Sequence, residues 1–283
     1  EGNLVEISIK GLAGGHSGED IDRGRANANK LMGRILLALK AEAPELLLVS
    51  MNGGTKENAI PREATAVISV NDTEKIRTLC DGLYGNIVGE LVTDDKEFSI
   101  TVDERESELD PMTESWSDKC LFFLSALSNG VLEMDNKVEG IVEYSRNLGI
   151  VTTDRNSIEL VINTRSAREA RLDHAERELD AYGQLLGGKS EHFNRYPGWV
   201  YSEISTLRDT YAESYFELFG EKTEVEIIHA GLECGIIKQA LPDMDVISCG
   251  PYVRDLHSPC ESLDLRSFER FFAVILKTLE KLK

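Results

Sequence analysis

The chain has 283 residues, 41% of them hydrophobic, enough to bury a real core, and its length favours two domains over one. Its 50 Asp and Glu against 31 Lys and Arg leave a formal net charge of -19, which opposes binding to phosphate backbones and anionic lipid surfaces, so neither nucleic acid nor membrane is an expected partner. Apolar runs such as Ile35 to Leu39 and Leu46 to Val49 fall far short of the ~20 residues of a membrane helix, and Cys80, Cys120, Cys234, Cys249 and Cys260 are too scattered for a disulfide framework, which points to a reducing, cytoplasmic setting.

The N-terminus has no initiating Met, basic segment or apolar leader, and the alternation Val5, Ile7, Ile9 enters directly as a strand, the pattern of a chain cut from something longer. After a Gly-rich turn from Gly11 to Gly18, apolar Met32, Ile35, Leu36 and Leu39 at i, i+3, i+4 and i+7 predict a helix over about 25–43. A strand at 46–51, the turn Asn52-Gly53-Gly54-Thr55 and an alternating strand at 63–70 follow. Asp72 is placed to cap a helix running to about Val92, and 98–102 closes the unit as a strand. The order is β-α-β-β-α-β, a split ferredoxin-like unit.

A second copy is expected, with a helix at 116–128, strands at 138–145 and 157–163, a helix at 167–186 and a strand at 190–196. Asn58 and the residues after it line up with Asn147 to Ile150 and the strand beyond. The turn residues Tyr196-Pro197-Gly198-Trp199 mark a boundary, so the domains read as 1–195, divided at about 1–105 and 114–195, and 196–283. Beyond it, helices at 205–219, 233–240 and 265–282 alternate with strands at 224–228 and 245–248, the pattern of part of a parallel α/β layer. The fold class is thus α/β and α+β, a tandem ferredoxin-like region followed by part of an α/β domain.

Four places could carry chemistry. His257, between Asp255 and Glu261 in a loop after a strand, is the best metal-ligand candidate, although a loop histidine bonded to Asp255 fits the spacing as well. The turn from Gly231 to Gly235 enters a helix at Glu233 and can offer backbone N–H groups to a carboxylate, or it is simply a tight turn with an acid at a helix N-terminus. His16, on a Gly-flanked tip, is either solvated or a donor to a developing oxyanion. Arg165, at the end of an apolar strand, is either a bidentate carboxylate clamp or half of a surface ion pair. Cys234 has no evident paired base and reads as a small packed residue.

Several motifs carry a family resemblance: Gly14-Gly15-His16-Ser17-Gly18, Gly24-Arg25-Ala26-Asn27, Asn58-Ala59-Ile60-Pro61-Arg62-Glu63, Tyr196-Pro197-Gly198-Trp199, His229-Ala230-Gly231-Leu232-Glu233 and His257-Ser258-Pro259. Together they resemble the lid and C-terminal catalytic part of the Xaa-His (aminoacyl-histidine) dipeptidases, in the dizinc peptidase family of aminoacylase, carboxypeptidase G and carnosinase. The resemblance implies a lid domain inserted into a catalytic α/β domain that holds two divalent metals, hydrolysing an unblocked dipeptide. It implies His257 as the last zinc ligand and His16 as the lid histidine that stabilises the tetrahedral intermediate. Asn58 and its counterpart Asn147, Arg165 and the turn residues Gly231 and Glu233 would bind substrate. The family's first metal-binding half has no counterpart here, so at most a partial zinc site and an inactive chain are expected, with a homodimer as a further partner. The family has an acid after His-Ser-Pro where this chain has Cys260. The rival reading is a non-catalytic binding or oligomerisation module of tandem ferredoxin-like units.

Overall fold

In strand β1 (Asn3–Lys10), Val5, Ile7 and Ile9 alternate onto one face and are fully buried beneath helices, as period-two patterning requires. The computed structural model describes residues 2–92, 95, 97–227, 229, 232–254 and 261–283. On one side β1 pairs with β5 (Ala64–Val70) and on the other with β6 (Ser99–Glu104), while β3 (Leu47–Gly53) lies beyond β5, every pair antiparallel. Helix α1 (Ala28–Glu42) is capped by Asn27, whose side chain accepts from the Lys30 N–H, and it buries the predicted Met32, Ile35, Leu36 and Leu39. Helix α2 (Thr73–Val88) starts at Asp72, which accepts from the Lys75 N–H. The sheet order β6-β1-β5-β3 with two crossover helices is the ferredoxin-like unit the pattern predicts.

The elements expected to form a second copy extend the same sheet, in the order α-β-β-β-α rather than a second β-α-β-β-α-β. Helix α3 (Glu114–Ala126) leads to β7 (Gly130–Met134), β8 (Val142–Asp154), β9 (Ser157–Ser166) and helix α4 (Glu169–Leu186). One edge of β8 carries β9 from Tyr144 to Asp154, and the other is shared between β7 near its start and β3 at the single pair Gly53 and Val151. Side chains reinforce that narrow join. The Met51 N–H donates to Thr153 Oγ1 at 2.8 Å, that hydroxyl lies 2.8 Å from the Met51 carbonyl, and the Thr153 N–H donates to Asn52 Oδ1 at 3.0 Å. Close approach also demands a glycine here: Gly54 has φ +76, and a Cβ on it would sit 1.8 Å from the Gly149 carbonyl oxygen.

Three details differ from expectation. The patterning does not predict strand β7, because 130–134 shows no clean alternation, and the strand expected at 138–145 instead begins at Val142 and runs to Asp154. The strand expected at 190–196 does not form. Phe193 and Tyr196 are exposed, and Asn194 has φ 53, a left-handed conformation that breaks an extended run.

The chain divides into two compact units, Glu1–Phe193 with Ile228–Ala230 and Asn194–Ile227 with Gly231–Lys283. In the first, one continuous core joins the helix stripes to Val5, Ile7, Ile9, Leu48, Ala66, Ile68 and Leu148 of the sheet. The second contains α5 (Thr206–Phe219), α6 (Glu233–Ala240), α7 (Leu265–Lys281) and a two-residue ladder between β10 (Val253–Arg254) and β11 (Ser262–Leu263). Its helices fall where periodicity predicts. Its expected strands do not: 224–227 and 245–248 carry no ladder, because among the described residues of this unit no strand runs beside them to complete their hydrogen bonds. Ile228, the last residue of the first of those expected strands, lies outside the described residues.

Candidate functional site

The Gly-rich turn after β1 is stitched down rather than loose. Its short strand β2 (Gly15–His16) pairs with β4 (Ala59–Ile60), and the Ser17 N–H donates to the Asn58 carbonyl at 2.9 Å. The His16 N–H donates to Asp20 Oδ2 at 2.7 Å, and Arg25 donates to the Gly14 carbonyl at 2.8 Å. On the imidazole, Nδ1 accepts the backbone N–H groups of Gly18 and Glu19 at 3.3 and 3.2 Å. An acceptor at Nδ1 fixes the tautomer, so neutral His16 carries its proton on Nε2 and is a hydrogen-bond donor there.

Arg165 reaches this turn from β9. Its Nε and a terminal nitrogen lie 3.4 and 3.2 Å from Ser17 Oγ, and that hydroxyl donates to Asn163 Oδ1 at 3.1 Å. The two residues singled out in distant parts of the sequence are thus joined through one buried serine adjacent to His16. Burial pulls the Arg165 guanidinium below its usual value, and the nearby charges of Glu19 and Glu57 oppose that.

A third residue, one with no role assigned from its motif, enters the cluster. His229 places Nε2 2.7 Å from Ser145 Oγ, and Ser145 is the ladder partner of Arg165, so both side chains stand on the same face of the sheet. The His229 carbonyl oxygen lies against Gly18, only 2.3 Å from where a Cβ would be. Burial, reinforced by the charge of Arg165 and opposed by Asp22, lowers the His229 imidazole from 6.5 to about 4, so it is neutral at pH 7. The segment containing it drew notice as a turn; its packing on a strand 84 residues away leaves no local signal.

Asn58 contributes its backbone carbonyl, and its side chain is exposed. Asn147 is fully buried, and both ends of its carboxamide are engaged: Nδ2 donates to the Ala59 carbonyl at 2.8 Å and Oδ1 accepts from Asn27 Nδ2 at 2.9 Å. It therefore fastens β4, the partner of the His16 strand, to the helix cap of α1. Asn129 adds to this network, accepting from Asn27 at 3.3 Å and from the Leu148 N–H at 2.8 Å.

Glu233 opens α6 in the second unit and is exposed. Cys234 places Sγ 3.8 Å from the Ile247 carbonyl, and burial raises its thiol, which suits packing better than nucleophilic attack. His257 and Gly231 lie outside the described residues. Among the described residues, no three His, Cys, Asp or Glu side chains come together to hold a metal ion, so the residues described do not by themselves fit a zinc centre.

Residues 7–79, which run from β1 into α2, match the family model described as a peptidase dimerisation domain. Over 279 residues, 98% of its length, the chain is 35% identical to the cytosol non-specific dipeptidase of Escherichia coli. It superposes on the crystal structure of aminoacylhistidine dipeptidase from Vibrio alginolyticus with a TM-score of 0.90 and 33% identity, covering 99% of this chain. The resemblance to dipeptidases drawn from the motifs therefore holds along nearly the whole sequence. The chain spans 57% of the length of each of these two relatives. No helix among the described residues is long and apolar enough to cross a membrane.

Proposed function

We propose that this chain is the lid and part of the catalytic layer of a cytoplasmic, metal-dependent homodimeric dipeptidase acting on unblocked dipeptides with a C-terminal histidine. The observation that carries the reading is the junction of His16 and Arg165 through Ser17. The guanidinium binds the C-terminal carboxylate of the dipeptide in a charge-assisted pair. With its proton on Nε2, His16 donates to the carbonyl oxygen as it gains charge, a contact of the kind worth about 3 kcal/mol of barrier in acyl transfer. Asn58 and Asn147 hold the His16 turn in place, and Gly231 and Glu233 are carried over from the dipeptidase resemblance as further substrate contacts. The two zinc ions are held mainly by residues other than those described, with His257 as this chain's ligand, so the chain is inactive alone.

The second reading, a non-catalytic association module, is favoured by the description of the family model as a dimerisation domain. One experiment separates the two. The purified chain is incubated with excess zinc and alanyl-histidine, and both hydrolysis and binding are measured. The proposal expects no hydrolysis but weak dipeptide binding that Arg165→Ala removes. Turnover by this chain alone would refute its dependence on other residues, and binding indifferent to Arg165→Ala would leave the association module as the better reading.

A further inference from the structure

The Arg165 guanidinium has five N–H donors, and the partner of two of them fixes where the others point. Nε and one terminal nitrogen lie 3.4 and 3.2 Å from Ser17 Oγ, which places that hydroxyl on the side edge of the guanidinium plane. Ser17 is buried, and it can accept there because its own proton goes to Asn163 Oδ1 at 3.1 Å. Asn163 precedes Arg165 by two positions in β9, so the two side chains stand on the same face of the sheet. One hydroxyl thus ties the head of the arginine back to the strand that carries it.

The polar groups around it are already engaged. Ser145, across the ladder from Arg165, has its hydroxyl 2.7 Å from His229 Nε2, and Asn147, across from Asn163, has both ends of its carboxamide bonded, to Ala59 and to Asn27. Glu19 and Glu57 bear on the guanidinium electrostatically, but among the described residues no carboxylate pairs with it directly. A cation kept from water without a counter-ion is costly, and it draws an anion to whatever donors remain. Those donors include the end edge, where one N–H from each terminal nitrogen points the same way, a fork that matches the two oxygens of a carboxylate.

We infer that Ser17, its proton directed by Asn163, is a positioning residue for Arg165: by occupying the side edge of the guanidinium it leaves the end edge to take an anion as a fork. The inference rests on the carboxylate role proposed for Arg165 and adds what orients it. Two measurements on the whole chain test it, in the wild type, Ser17→Ala and Asn163→Leu, the last keeping the hydroxyl and removing only what directs its proton. The first needs no ligand: the Arg165 Nε–H signal in a nitrogen–proton spectrum, identified by its loss in Arg165→Lys, reports rotation about the Nε–Cζ bond. Rotation should be slow in the wild type, at least tenfold faster in Ser17→Ala, and faster by a smaller factor in Asn163→Leu. The second is titration with alanyl-histidine and with its C-terminal amide, which has no carboxylate. Ser17→Ala should weaken binding of the acid about tenfold and leave the amide unchanged, so that the preference for acid over amide falls by the same factor. Rotation indifferent to both substitutions would overturn the inference, and so would equal weakening of acid and amide, the mark of a merely structural loss. Slow, Ser17-dependent rotation in a chain that binds neither compound would count against the proposed function and leave the positioning of Arg165 standing.

Discussion

Acidification should weaken the fold through His229 in a way a single substitution isolates. The imidazole titrates at about 4 in the folded chain against 6.5 when unfolded, so above pH 6.5 it is neutral in both states and contributes no pH dependence. As the pH falls from 6.5 toward 4 the unfolded chain takes up a proton that the folded chain refuses, and stability drops throughout that window. Linkage across the shift gives a loss of roughly 2 kcal/mol between pH 7 and pH 4.5. Carboxylates titrate in the same range, so the measurement is a difference. Urea unfolding of the wild type and His229→Gln, which keeps a hydrogen-bonding partner for Ser145 but cannot titrate, is compared at pH 7, 5.5 and 4.5. The wild type should lose about 2 kcal/mol more than the variant at the lowest pH. Parallel losses would mean that His229 is not packed against Ser145 and Arg165 in solution, and the clustering of the two histidines with Arg165 would fall with it.

Two further outcomes test the same cluster. Gly18→Ala should cost about 1–3 kcal/mol in chemical denaturation, because its backbone conformation admits alanine and the obstacle is the His229 carbonyl at 2.3 Å; a neutral effect would show that this contact yields freely. Asn147→Ala takes the side-chain donor from the Ala59 carbonyl and one of the acceptors from the Asn27 amide, which keeps Asn129 and the Leu148 carbonyl, a loss of about 1–3 kcal/mol. It should also shift the His16 imidazole resonances in a carbon–proton spectrum, and unchanged resonances would disprove the coupling from β8 through β4 to His16.

Local patterning made most of the first unit legible. The stripe of Met32, Ile35, Leu36 and Leu39, the cap at Asp72 and the alternation of β1 and β5 each announce an element through its own residues. Failures came where structure depends on a neighbour. Residues 245–248 have the composition of a strand and, among the described residues, no partner to make them one, whereas β7, with poorer patterning, is a strand because the edge of β8 receives it. The site divides along the same line. His16 and Arg165 stood out by residue type and position, but Ser17, which joins them, and His229, which packs against the partner of Arg165, are tertiary facts. Asn147, expected at the substrate, has its carboxamide engaged within the fold, and no sequence spacing distinguishes those two uses of an asparagine.

The seam between β3 and β8 is one ladder pair wide, with Thr153 and Asn52 adding by side chain the bonds that a longer ladder adds by backbone. Backbone pairing is blind to residue identity, whereas this join depends on two particular letters. What keeps the sheet whole behind it is the packing of α1 on α3 and the apolar core the two sides share, so the strands here can be poorly zipped without the unit coming apart.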